Sequence, residues 1–218
     1  IDEPAARTGL EQLTRDVWQK GWWDGFADVV PGKVIDAAWL EARATSIRHF
    51  GALVLPGLFQ TPEYAEAVIR AADPQASNAQ VQQWVTFRMK RQEVLTDADA
   101  PDYDVILDES CFQRVVGGPE VMRAQLFRLL ELSSRPNITV RILPFATGSM
   151  ASPDGGFTVY VMPSPFPLVA QINSEGGVIY LEAPKASRFD GAYSRLEAEA
   201  LDVEDSQSFV KTRMEQSA

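Results

Sequence analysis

Residues 52–68, ALVLPGLFQTPEYAEAV, decide how the chain folds, because an apolar run meets a forced turn and then the start of a helix. Ala52-Leu53-Val54-Leu55 is too short for a free helix and too apolar for an exposed strand. It reads as a buried strand or extended segment, stopped by Pro56-Gly57. Thr61 suits an N-cap, Pro62 fits the first helical position where no N–H is needed, and Glu63 favours the positive end of the helix dipole. A helix is therefore predicted to begin at Pro62.

Upstream, Leu10, Leu13, Val17 and Phe26, with Trp18, Trp22 and Phe26 four apart, predict an amphipathic helix between Pro4 and Val29, weakened by Gly21 and Gly25. Trp22 and Trp23 read either as a packing face or as the wall of an apolar pocket. Pro31-Gly32 breaks the chain, which separates an N-terminal linker helix (1–30) from the remainder (31–218). Asp36 is placed to cap a short helix over 37–43, and Ile47 between Ser46 and Arg48 suggests a strand leading into the central stretch. His49 has no second histidine to join it, so it reads as a core or rim residue before it reads as a ligand or catalyst.

Downstream, Ser77 or Asn78 caps a predicted helix to about Thr96. Its Arg88, Lys90 and Arg91 form the densest basic cluster, which reads as a solvated face paired with Glu93. Strands are predicted over 103–107, 138–145, 156–162, 168–172 and 177–181. Further helices are expected from Pro119 to Arg135-Pro136, over 186–201, and after a cap at Asp202 or Asp205. Helices at both ends and no regular βαβ alternation predict an α+β fold, with a central, mostly antiparallel sheet of four to five strands.

The composition narrows the chemistry. With 45% hydrophobic residues, a chain of 218 residues can bury a sizeable core. A net charge of −10 opposes the phosphate backbone, so the chain as given is not expected to read DNA by itself. One cysteine and one histidine argue against a disulfide framework and the common histidine-rich metal sites, so no metal or cofactor is expected. No apolar run approaches the ~20 residues that span a bilayer, which with the single cysteine fits a cytoplasmic setting without membrane contact.

The nearest thing to a polar constellation is Asp108-Glu109 at the end of an apolar strand, close to Arg114. Adjacent strand residues point to opposite faces, so both acids enter one cleft only across a bulge, and an ion pair or a helix cap is the plainer reading. If a site exists, it is expected where this strand end nears the central turn. Asp108 or Glu109, Arg114 and Gln60 would then surround an apolar cavity, with Trp22, Trp23, Tyr64 and Arg88 as further candidates and the glycine-rich 148–156 loop as a cover.

Several stretches carry a resemblance: Gly21-Trp22-Trp23, LVLPGLFQTPEYA, FRMKRQEVL (87–95), VILDES, VGGPEVMRAQLFRLLELSSRPNITVRILPF (116–145), DGGFTVYVMP and IYLE (179–182). In this order they resemble the large C-terminal domain found behind a helix-turn-helix in antitoxin-like (XRE-type) transcriptional regulators of actinomycetes. The resemblance implies a cytoplasmic regulator whose helix-turn-helix binds a promoter while this domain senses a small partner protein or a metabolite. A homodimer is compatible with it. Two departures stand out. The chain begins at Ile1, as though the DNA-binding unit had been removed or lost, and Val169-Ala170-Gln171-Ile172-Asn173 lacks the acid expected of a V-x-V-E strand.

Three functions follow for comparison. A sensor or partner-binding domain fits the resemblance and the lack of a dense catalytic set. A cofactor-free enzyme of natural-product biosynthesis, performing a cyclisation or similar step in an apolar pocket, needs few motifs. An autonomous DNA-binding protein fits the acidic charge worst.

Overall fold

The computed structural model describes residues 21–174 and 176–216. Six strands form one sheet: β1 (Ser46–Gly51), β2 (Asp102–Asp108), β3 (Ile138–Leu143), β4 (Phe157–Val161), β5 (Val169–Ser174) and β6 (Gly177–Glu182), in the order β3-β2-β1-β4-β5-β6. The fold is α+β, but the sheet is mixed. β1, β2 and β3 run parallel, while β1 with β4, β4 with β5, and β5 with β6 pair antiparallel. The expected four to five mostly antiparallel strands are thus corrected to six in two blocks. Parallel neighbours require a long crossover, and the helices between β1, β2 and β3 supply it.

Those crossovers are α2 (Pro62–Ala72) and α3 (Asn78–Arg91) between β1 and β2, and α4 (Pro119–Leu132) between β2 and β3. The chain enters through a 3₁₀ turn at Trp22–Phe26 and α1 (Gly32–Glu41), and ends with α5 (Ala186–Glu199) and α6 (Val203–Gln216). On one face of the sheet, Ile47, Tyr103, Val105, Val140, Ile142 and Tyr160 pack with Phe59, Leu126, Leu129 and Val210. On the other, Phe50, Ile106, Phe157, Val159 and Ala170 pack with Ala192, Tyr193 and Leu196 of α5. The parallel block is covered on both faces, which suits the almost uninterrupted burial along β2. β3 would be an open edge, but Leu201 N–H donates to its Ile142 carbonyl (2.9 Å), and Ile142 N–H donates to Ser206 Oγ (3.0 Å).

Local signals set most helix starts. Tyr64 N–H donates to the Thr61 hydroxyl before α2, and Ser77 and Gln80 form a capping box before α3. Three boundaries differ from expectation. α1 begins at Gly32, directly after Pro31, instead of at Ala37. α3 stops at Arg91 and is followed by a 3₁₀ turn, Gln92–Leu95. Of the helix expected over 4–29, residues 4–20 lie outside the described residues, Trp18 among them, and 22–26 are a 3₁₀ turn.

The central stretch also departs from its reading. Ala52–Leu55 is neither a strand nor wholly buried: Leu53 is 63% exposed and Leu55 fully buried. The strand precedes it, as β1, and the apolar run bends away from the sheet end. Without strand partners, its backbone groups are met by glutamine amides. Gln60 Nε2 donates to Leu55 O (2.7 Å), Gln92 Nε2 donates to Gly57 O (3.2 Å) and Gln60 O (2.7 Å), and Gln125 Nε2 donates to Phe59 O (2.8 Å). Thr61 N–H donates to Gln125 Oε1 (2.7 Å), so the 3₁₀ turn that follows α3 and the helix α4 both hold the turn. Buried backbone polar groups must find partners somewhere. Here three glutamine side chains provide most of them, with the Tyr64 and Ser110 hydroxyls meeting Leu55 N–H and Ala52 O.

Candidate functional site

Beneath that turn lies a cavity of about 310 Å³, at the lower end of the range for small-molecule sites. Its floor is sheet: His49 on β1, Thr158 and Tyr160 on β4, and Gln171 and Asn173 on β5 all line it. Residues two apart on a strand share a face, so β4 and β5 each deliver two polar side chains into one space. Val34, Ala37 and Glu41 of α1 form one wall, Arg88 and Arg91 of α3 another, and Val54 to Leu58 the rim.

The polar groups are already connected. Arg91 and Glu41 make a two-point ion pair, Nε to Oε2 at 2.9 Å and Nη2 to Oε1 at 2.5 Å, with side chains only 13% and 6% exposed. Burial pulls the Arg91 pKa down, yet Glu41 holds it above the ordinary guanidinium value. Arg88 Nη1 donates to Gln60 Oε1 at 2.6 Å, and no carboxylate pairs with it among the described residues. Burial, with the charge of Arg91 beside it, lowers its pKa to about 10, so it stays cationic at neutral pH. Tyr160 O–H donates to Gln171 Oε1 (2.6 Å), and Gln171 Nε2 donates to Asn173 Oδ1 (3.0 Å). Burial keeps the Tyr160 and Tyr103 hydroxyls protonated well above neutrality.

His49 Nδ1 shares a hydrogen bond with Thr158 Oγ1 at 2.8 Å. Burial first, and Arg91 second, depress its pKa to about 4. At neutral pH the ring is therefore uncharged. The charged side chains lining the cavity are Glu41, Arg88 and Arg91, which sum to one positive charge in a chain of net charge −10.

Of the residues singled out from sequence, Gln60 and Arg88 meet in this cavity. Tyr64 lies fully buried, its hydroxyl accepting from Leu55 N–H at 3.4 Å. Trp22 and Trp23 belong to a neighbouring aromatic cluster with Phe26 and Phe87, where Trp22 stands 5.2 Å from Phe87. Asp108 accepts from Ser110 N–H (2.8 Å) as the cap of a 3₁₀ turn at Glu109–Phe112. Glu109 accepts from Phe145 N–H (3.0 Å) and Arg213 Nη2 (3.0 Å), and Arg114 is exposed. None of these three lines the cavity, which lies over β1, β4 and β5 and not at the far end of β2.

Glu41, Arg91, Thr158, Tyr160, Gln171 and Asn173 were not read from sequence as site residues. Polar side chains at alternate positions of two otherwise apolar strands were the available signal, and Arg91 follows Arg88 at helical spacing. Arg91 is also not the solvated residue expected from the basic cluster, since only Lys90 pairs with Glu93 (2.6 Å) at the surface.

A second cavity of about 580 Å³ lies on the opposite side, between residues 151–154 and α5. It is larger, but its cations, Lys185, Arg188 and Arg195, are exposed and hydrated, so they carry little recognition by themselves. The candidate site is the smaller one, whose charged and polar groups are tied to one another. Among the described residues, no group of three or more His, Cys, Asp or Glu side chains is placed to hold a metal ion, and no helix is long and apolar enough to cross a membrane.

No curated protein and no solved structure matches the chain significantly. A family model described as "Domain of unknown function (DUF5753)" matches residues 34–212, which includes every cavity-lining residue named above, and the chain belongs to that family.

Proposed function

We propose that this domain binds a small molecule in the cavity beneath the Pro56–Gly57 turn, and that it serves as the sensing domain of a cytoplasmic actinomycete transcriptional regulator. The observation that carries the first half is the pre-connected polar wall around Arg88, a partly buried cation that the described residues leave without a carboxylate. A fold gains nothing from burying an unpaired charge, whereas a binding site does. The second half is supported by the ordered motifs that resemble such regulators, and the acidic charge leaves DNA contact to a separate helix-turn-helix. The turn is the natural route for a signal. Val54 is an exposed apolar residue on the cavity rim, with exposed Leu53 beside it in the chain, and the pair suits a partner protein that reads whether the cavity is filled.

A cofactor-free enzyme is the second reading, favoured by His49. A neutral imidazole with one nitrogen hydrogen-bonded to Thr158 has the protonation state a general base needs at neutral pH.

Native mass spectrometry after incubation with a metabolite extract tests both. A sensor retains a small molecule unchanged, and Val34→Trp, which fills the cavity, abolishes retention. Recovery of a converted molecule, lost in His49→Gln, selects the enzyme. Retention that survives Val34→Trp refutes the cavity as the site, and a retained ligand that leaves promoter binding by the helix-turn-helix regulator unchanged refutes the sensing role.

A further inference from the structure

The hydrogen-bond directions in the cavity limit what it can accept. Gln60 Nε2 is committed to Leu55 O, so its carbonyl oxygen faces Arg88 and takes one guanidinium hydrogen. Both oxygens of Glu41 are committed to Arg91. The carbonyl oxygens of Gln171 and Asn173 are taken by Tyr160 and by Gln171 itself. The strongest donors the wall still offers are the remaining N–H groups of Arg88, which has five, beside the amide of Asn173. A ligand head group that accepts from Arg88 is the one this arrangement favours.

The charge balance says how much. Arg91 is neutralised by Glu41, His49 is uncharged, and Arg88 is left as a single positive charge. That charge matches a monoanion, and a phosphate dianion would leave one negative charge in excess. Gly57 completes the cradle. A Cβ at this position would meet Arg88 Cδ and Nε at 3.7 Å, an ordinary van der Waals contact, so the Arg88 side chain runs alongside the turn. Val34, Ala37 and Val178 provide an apolar wall for the rest of a ligand.

We propose that the cavity receives a small monocarboxylic acid, its carboxylate on the Arg88 guanidinium and its body against α1 and the start of β6. This rests on the reading of the cavity as a ligand site. A guanidinium matches a planar carboxylate with two parallel hydrogen bonds, an arrangement that discriminates acid from amide.

Titration calorimetry and amide NMR on the full chain, in low-chloride buffer, test it with benzoate and hexanoate against benzamide and hexanamide. The acids are expected to bind at least about tenfold more tightly than their amides. Arg88→Gln brings the acids down to the level of the amides, Arg88→Lys keeps part of the preference, and Arg188→Gln in the outer groove changes nothing. Equal binding of acids and amides overturns the carboxylate assignment while the ligand-site reading stands. Binding of inorganic phosphate alone overturns the monoanion assignment. Silence of all probes overturns the proposal, and the ligand-site reading falls with it only if the metabolite extract also yields nothing.

Discussion

Glu41→Gln is the most informative single change, because it removes one charge and almost no volume. Glu41 is 4% exposed and holds Arg91 at two points. Without the carboxylate, Arg88 and Arg91 would face the same cavity as two partly buried cations with no anion. Breaking a buried pair from one side costs about 3–5 kcal/mol. At roughly 2–4 °C per kcal/mol for a domain of this size, the melting midpoint should fall by about 6–20 °C. Replacing both partners, Glu41→Leu with Arg91→Met, should recover most of that loss, since two apolar residues leave no uncompensated charge. Urea unfolding of Glu41→Leu, Arg91→Met and the double variant gives the coupling directly. The same substitution should strengthen benzoate binding, because the cavity gains a net positive charge while the fold loses stability. A Glu41→Gln variant within about 1 kcal/mol of the parent would refute the reasoning, and would mean that water already screens the pair as it does at a surface.

Three other outcomes are expected. His49 has a folded pKa near 4 against an ordinary value of 6.5, so the unfolded chain binds a proton that the folded chain refuses; the stability this contributes is full above pH 6.5 and is lost as pH falls toward 4. The loss amounts to about 3 kcal/mol at most, and unfolding of the parent and His49→Gln across that window should show the variant with the shallower slope. Gly156→Ala places a Cβ 2.6 Å from the Phe50 carbonyl oxygen where β4 begins beside β1, and denaturant melts should show a loss of about 1–3 kcal/mol. Trp23→Ala removes a buried indole from the cluster with Val30, Ala38 and Phe87, and should cost about 3–5 kcal/mol in the same assay while leaving the acid-over-amide preference of the folded protein unchanged.

The division between what was legible in the sequence and what was not follows the range of the interactions. Thr61-Pro62-Glu63 and Ser77 to Gln80 contain within four residues the groups that satisfy a helix start, so α2 and α3 could be placed from local chemistry alone. Alternation located the strands for a similar reason, since a half-buried or buried strand declares its two faces residue by residue. Pairing is different. Whether β1 lies beside β2 or β4, and in which direction, depends on partners more than 50 residues away, such as Phe50 opposite both Ile106 and Phe157. The crossover helices permit the parallel block but do not announce it.

The same distinction governs the site. Gln60 and Arg88 could be singled out because each belongs to a recognisable local stretch, the turn and the basic end of α3. Their meeting could not, because it requires α3 to return over the turn. Nor could the partner of Arg91 be found: the sequence offered Glu93 nearby, but the fold supplies Glu41, 50 residues distant, and buries both. Asp108 and Glu109 looked like a site and are used as caps and ties, since backbone N–H groups at turn starts are the nearest donors for acids at a strand end. The sequence by itself determined the fold class, most of the helix starts and the central turn, all of which rest on local backbone and side-chain preferences. Only the tertiary structure decided the strand order, the buried ion pair and the single unpaired cation of the cavity, because charge compensation and enclosure are properties of groups brought together from distant parts of the chain.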